Sequence, residues 1–192
     1  HGTIEYKLGK DGEWSETLPS GTDAGEYKIY YRIKGDESHS DYEAETPIVV
    51  TINKATPALT APTAKTNLVY TGSALELVVA GSTTGGELEY KLDDGQWGTT
   101  VPVATDAKDD YIVYYRVAGN KNYKDIAEAS LTVKIDKADS AFTKAPKAAD
   151  GLVYKKDSSQ ALIVAGETAH GTIEYKLGED GTYGADLPKA TN

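Results

Sequence analysis

Four kinds of residue in this 192-residue chain could do chemistry: three histidines, two adjacent carboxylate pairs, a recurring lysine, and tyrosines two residues from arginines. A Ser/His/acid triad would need a histidine in each working domain. His1 and His170 occupy one position of an internal repeat, where Gly85 stands in between, and His39 aligns with Asn122. None sits in a G-x-S-x-G or H-E-x-x-H pattern, so exposed, inert histidines are the preferred reading. Asp93-Asp94 and Asp109-Asp110 fall in predicted turns and are absent from the other repeats. Solvated turn residues fit them better than a glycosidase pair, whose carboxyls must face each other across a cleft. Asp36 and Glu37 with Asp41, and Asp93 and Asp94 with Asp11, are the nearest approaches to a calcium loop. Neither has the ligand spacing that supplies the ion's roughly six to eight oxygens, so no metal or cofactor is expected. Lys7, Lys91 and Lys176 raise the question of a Lys–Asn isopeptide crosslink, which needs a buried lysine, an asparagine and an acid together. Alternation places these lysines outward beside Glu5, Glu89 and Glu174, as an exposed cross-strand lattice.

Tyr30 with Arg32, and Tyr114 with Arg116, are the sharpest functional feature. An aromatic ring and a guanidinium on one open sheet face could stack a sugar ring, a host or plant glycan for example, or seat a neighbouring domain. The competing reading is structural: both residue types suit exposed strand positions and cover apolar surface. Their recurrence in both repeats that contain the strand favours that second reading.

The elements that must position these residues show a period of two. Ile4, Tyr6 and Leu8 alternate with Glu5 and Lys7; Tyr27, Ile29, Tyr31 and Ile33 alternate with Lys28, Tyr30 and Arg32; Ile48, Val50 and Ile52 alternate with Val49 and Thr51. This is the signature of half-buried strands in antiparallel sheets. Lys10-Asp11-Gly12, Ser20-Gly21, Lys34-Gly35-Asp36 and Asp94-Gly95 punctuate them as turns. No window carries a helical stripe. Trp14 and Trp97 share a repeat position that Tyr183 fills in the third copy, and they are expected to cap an end of the core.

Those strands belong to a tandem repeat. HGTIEYKL at 1–8 returns unchanged at 170–177, and GGELEYKL stands at 85–92. Tyr27–Gly35 returns as Tyr111–Gly119, Leu68-Val69-Tyr70 as Leu152-Val153-Tyr154, and Val79-Ala80-Gly81 as Val164-Ala165-Gly166. The unit is about 84 residues, taking the step from position 1 to position 85. Residues 1–54 read as the later part of one unit, 55–137 as a complete unit, and 138–192 as the earlier part of a third. The chain is thus expected to be a window onto a longer array, opened mid-domain at both ends. Strands are expected near 58–61, 67–70, 75–80, 86–92, 99–103, 110–118 and 128–136 of the complete unit. Short strands at this spacing predict an all-β fold of tandem immunoglobulin-like β-sandwiches. The linker from Ile52 to Pro57 is short, and Pro57, Pro62 and Pro146 stiffen their surroundings, so a semi-rigid rod is expected.

Composition removes other classes. With Cys 0 there are no disulfides, thiol nucleophiles or zinc–thiolate sites. A net charge of −10, with no offsetting basic cluster, repels nucleic acid and anionic lipid. No apolar run is long enough to enter a membrane as a helix.

The ordered landmarks Lys54-Ala55, Ala61-Pro62, Leu68-Val69-Tyr70-Thr71-Gly72, Val79-Ala80-Gly81, Tyr90, Thr22-Asp23-Ala24-Gly25-Glu26-Tyr27, and Gly35 with His39 and Asp41 resemble bacterial Ig-like repeats. Such repeats build the stalks of large secreted or cell-wall-anchored surface proteins, mostly of anaerobic Gram-positive bacteria. The resemblance covers nearly the whole chain and departs from the pattern at Thr105-Asp106-Ala107-Lys108. It implies an extracellular array for reach, display or adhesion, and supplies no catalytic residue. The first expectation is therefore a structural stalk or filament segment whose partners are its neighbouring domains and other copies in a fibre. An adhesin or carbohydrate-binding module using the Tyr/Arg face is the second, and accessory repeats of a larger secreted enzyme the third. No catalysis is expected within these residues. Residues 138–169 also supply the early strands that 1–54 lack, so one copy could complete another head to tail. Residues 170–192 duplicate 1–22, which argues instead for one long continuous chain.

Overall fold

A computed structural model describes residues 2–156 and 158–190, so His1 lies outside the described residues. Among them every regular element is a strand and there is no helix, as the alternation requires. The chain divides into two compact units, His1–Asp136 and Lys137–Asn192. The expected limit at 54/55 falls inside the first unit, and the limit at 137/138 lies beside the division.

The first unit opens with β1 (Thr3–Leu8), β2 (Gly25–Lys34), β3 (Tyr42–Glu43) and β4 (Ile48–Ile52). β2 lies between β1 and β4, antiparallel to both, and also pairs with β3. The remainder of the unit holds β5 (Leu59–Thr60), β6 (Thr63–Ala64), β7 (Leu68–Val69), β8 (Leu75–Glu76), β9 (Val78–Val79), β10 (Ser82–Thr83), β11 (Glu87–Leu92), β12 (Val103–Ala104), β13 (Lys108–Ala118) and β14 (Ile126–Asp136). Its main sheet has the order β11-β13-β14-β7, with β7 running parallel to β14. Three short antiparallel ladders, β5–β10, β6–β9 and β8–β12, complete it.

Together these sheets form a β-sandwich-like core. Leu77, Val78 and Ala104 pack with Tyr90, Tyr111, Val113, Val133 and Ile135 of the main sheet. Burying each such large apolar side chain contributes about 1.5–3 kcal/mol. The pattern along β13 shows why the sheet folds this way up: Tyr111, Val113 and Val117 are buried, while Ile112, Tyr114 and Arg116 between them are not.

Three sequence expectations are corrected here. The strand expected over 75–80 is two strands, because the chain changes partner at Leu77. The Leu77 amide donates to the Pro102 carbonyl and its carbonyl accepts from Lys65, so β8 pairs with β12 and β9 with β6. The strand expected at 99–103 is β12, displaced to Val103–Ala104. Asp109-Asp110 is not in a turn. It lies within β13, where the register slips between Lys108 and Tyr111, whereas β2 runs against β4 without a break. One inserted residue makes this bulge.

The same registers occur in the first 54 residues, but not the same burial. Tyr27 faces Val50 as Tyr111 faces Val133, yet Val50 is 43% exposed and Val133 2%.

The second unit contains β15 (Phe142–Lys144), β16 (Lys147–Ala148), β17 (Gln160–Ala161), β18 (Ile163–Val164), β19 (Glu167–Thr168) and β20 (Lys189–Ala190). Its ladders β15–β19, β16–β18 and β17–β20 correspond to β5–β10, β6–β9 and β8–β12. Phe142, Val153 and Tyr154 are exposed there.

Candidate functional site

The Tyr/Arg face is built by the pairing of β11 with β13. Glu89 stands opposite Arg116 and Lys91 opposite Tyr114, on the side of the sheet away from the core. A turn at Asp93–Gly95 brings the chain back, and the Tyr90 and Gly98 backbones exchange hydrogen bonds of 2.7 and 2.9 Å. That short bridge carries Trp97 onto the same outer face. The Trp97 ring takes the Arg116 guanidinium at 4.2 Å and the Lys91 ammonium at 5.1 Å, and Lys91 also lies 4.3 Å from the Tyr114 ring. Arg116 Nε donates to Glu89 Oε2 at 2.7 Å.

The first segment repeats the arrangement. The Tyr6 and Ser15 backbones make the same bridge. Trp14 then lies between Arg32 at 4.4 Å and Lys7 at 4.6 Å; Lys7 is 5.4 Å from Tyr30, and Arg32 Nε donates to Glu5 at 2.7 Å. In the second unit the Tyr175–Gly184 bridge places Tyr183 with Lys176 at 5.2 Å. The tryptophans therefore do not cap the core, as their place after a turn suggested. The bridge turns them outward, where each closes a ladder of alternating cation and ring.

Chemically this face is already satisfied. Each guanidinium has its carboxylate and its ring, and Lys7 and Lys91 each lie near two rings. The structure brings Tyr30, Arg32, Tyr114 and Arg116 into two like clusters, one per sheet, stabilised by cation–π contacts. The rings of this face already carry the protein's own cations, Arg116 and Lys91 at Trp97 and Arg32 and Lys7 at Trp14.

The other candidates are structural in their contacts. Asp93 has φ 47°, where the first segment and the second unit use Gly9 and Gly178. Its carboxylate accepts from the Ile112 amide at 2.9 Å and from Lys108 at 3.1 Å. The Ile112 bond, then Lys108, holds its pKa below the usual carboxylate value. Asp109 pairs with Lys134. Asp36 accepts from the Ser38 amide and contacts His39 Nδ1 at 2.7 Å, and Asp41 accepts from Lys34 and the Gly35 amide. His170 is exposed. Among the described residues no three His, Asp or Glu converge on a point that could hold a metal ion. No helix there is long and apolar enough to cross a membrane.

One alignment is corrected. The Gly35 amide donates to Asp41 and the Gly119 amide to Asp125, so His39 corresponds to Tyr123 rather than Asn122. The Tyr123 ring then explains Gly85, because a Cβ at residue 85 would collide with it.

Sequence reasoning missed a second cluster, between the 2–52 strands and the sandwich that follows. The Tyr27 hydroxyl donates to the Asp23 carbonyl at 2.7 Å and fixes the turn that carries Asp23 and Ala24. Asn122 receives the Ala24 amide on Oδ1 at 2.8 Å and donates from Nδ2 to Asp23 Oδ1 at 2.9 Å. Lys121 reaches the other carboxylate oxygen at 2.6 Å. These bonds lower the Asp23 pKa, Lys121 most and Asn122 next, and Asp23 raises that of Lys121. Beside them the linker itself is paired: the Ala55 amide donates to the Asn122 carbonyl and the Lys124 amide to the Ala55 carbonyl, both at 2.9 Å.

No protein-family model matches this chain, and no curated protein or solved structure is significantly similar to it.

Proposed function

We propose that this chain is a segment of a stalk or filament on a bacterial extracellular surface, made of tandem Ig-like domains that give reach and display. The observation that carries the proposal is the pairing of the linker at Ala55 with the Asn122–Lys124 loop. Only Asn53 and Lys54 separate β4 from that pairing, so little chain is free to swivel. A mechanical spacer needs short, occupied joints more than it needs a cleft.

The Ig-like assignment draws support from a tyrosine corner. Tyr27 donates to the carbonyl four residues upstream, and Tyr111 to that of Asp106 at 2.9 Å, five residues upstream across the inserted residue. The internally satisfied Tyr/Arg face favours a structural role over glycan binding.

Antibodies raised against the purified chain, applied as immunogold to the producing cells, test the proposal. Labelled fibres or projections outside the envelope are expected. Label confined to the cytoplasm, or to compact surface particles, would overturn it.

A further inference from the structure

We infer that the Asp23–Ala24 turn and the Asn120–Lys124 loop form a knob and socket that fix the orientation of one repeat on the next. The inference rests on the stalk reading and identifies the partner surface: the end loop of the following repeat, recognised through an amide and a cation.

Four features carry it. The knob is held in shape before it meets its partner, because the Tyr27 hydroxyl secures the Asp23 carbonyl within its own sheet. The socket is shaped in the same way: Asn120 Oδ1 accepts from the amides of Asn122 and Tyr123, and Asp125 accepts from Gly119. The contact is matched atom for atom. Asn122 offers one acceptor and one donor to the one donor of Ala24 and the one carboxylate oxygen facing it, and Lys121 takes the second oxygen. Finally, these bonds span 98 or 99 residues and lie beside the paired linker, so they add rotational constraint to a joint that the chain alone would leave as a hinge.

The socket is selective. The corresponding loop of the first segment, Gly35–Asp41, has Glu37 and Ser38 where the next has Lys121 and Asn122. Glu37 would bring a carboxylate to the knob carboxylate, and Ser38 has too short a side chain to bridge both knob atoms. Like charge and a lost amide would reject an aspartate knob. Loop sequence thus decides which repeat ends fit together.

The middle segment bears the same knob residues, Asp106 and Ala107, with the Asp106 carbonyl held by Tyr111. Among the described residues the Asp106 side chain makes no hydrogen bond or ion pair, which makes Asp106→Ala a control.

Residual dipolar couplings on the isotope-labelled full chain test the inference. In the native protein, amides of residues 2–52 and 55–136 are expected to fit one alignment tensor. Asp23→Ala/Asn122→Ala should split them into two tensors, with shifts far from the joint retained as proof of folding. Lys121→Glu/Asn122→Ser, which installs the residues of the first loop, should do the same, and Asp106→Ala should not. A single tensor in both double variants would overturn the lock and leave the stalk reading standing. Two unrelated tensors in the native chain would overturn both, whereas immunogold label confined to the cytoplasm or to compact surface particles would overturn the stalk reading alone.

Discussion

Val50 and Val133 occupy one position in two copies of the same sheet, which allows a controlled measurement of what the sandwich core contributes. Each faces a tyrosine across an antiparallel register, Tyr27 and Tyr111 respectively. Val133 is 2% exposed and Val50 43%. Valine to alanine removes two methyl groups, about 1.6 kcal/mol of transfer free energy when fully buried. A closed core adds a cavity term, so Val133→Ala should cost about 2 kcal/mol. At Val50 close to half of the surface is already in water and no enclosed cavity forms, so the same change should cost under about 1 kcal/mol. For a repeat of this size, that is a fall in Tm of about 8–16 °C for Val133→Ala and at most about 8 °C for Val50→Ala. Calorimetry of the full chain and of each variant reads both values. Equal costs would refute the reasoning, because they would mean that the face of β2 and β4 is as covered in solution as that of β13 and β14.

Trp97→Ala removes the ring on which Arg116 and Lys91 sit, and should cost about 1–2 kcal/mol in urea unfolding, counting about 0.5–1 for each exposed cation–π contact. Unchanged stability would show that the ladder contributes nothing. The Asp93 carboxyl carbon should titrate below the ordinary value of 3.8, since the Ile112 amide and Lys108 favour its charged form. With the folded pKa depressed, this stabilisation is full above the unfolded value and disappears as pH falls through the folded one. Asp93→Asn should flatten that part of the acid limb of a stability–pH curve, and an unaltered limb would refute the assignment.

What was legible in the sequence was local. Alternation in Ile4–Leu8 and Tyr27–Ile33, carried to the next copy by the repeat, gave the faces of β11 and β13 correctly, because period two needs no knowledge of the partner strand. The division of the 75–80 strand was not legible, because it depends on Leu77 meeting Pro102 on one side and Lys65 on the other. Trp97 was misplaced for a similar reason: a residue after a turn can face either way, and the Tyr90–Gly98 bridge decides. The Asp109 bulge is an insertion relative to Glu26, readable only once the register against β14 is known. The knob and socket join residues nearly a hundred positions apart, and neither Asp23-Ala24 nor Lys121-Asn122, read within its own repeat, points to the other as its partner. One hint was present. Gly85 replaces the histidine of the other copies, and a glycine where its relatives carry a ring marks a position where something else sits close.

The parallel pairing of β7 with β14 has a mechanical consequence. Leu68 and Val69 lie early in the middle segment, and Ile135 and Asp136 close it, with the Tyr70 amide bonded to the Asp136 carbonyl at 2.8 Å. Tension applied through the chain pulls these two strands in opposite directions along their length. Their bonds are then loaded together in shear, instead of being unzipped one after another as in a hairpin pulled from its open end. Rupture must break the whole patch at once, so resistance to pulling is set by an unfolding rate rather than by the equilibrium stability of the sandwich.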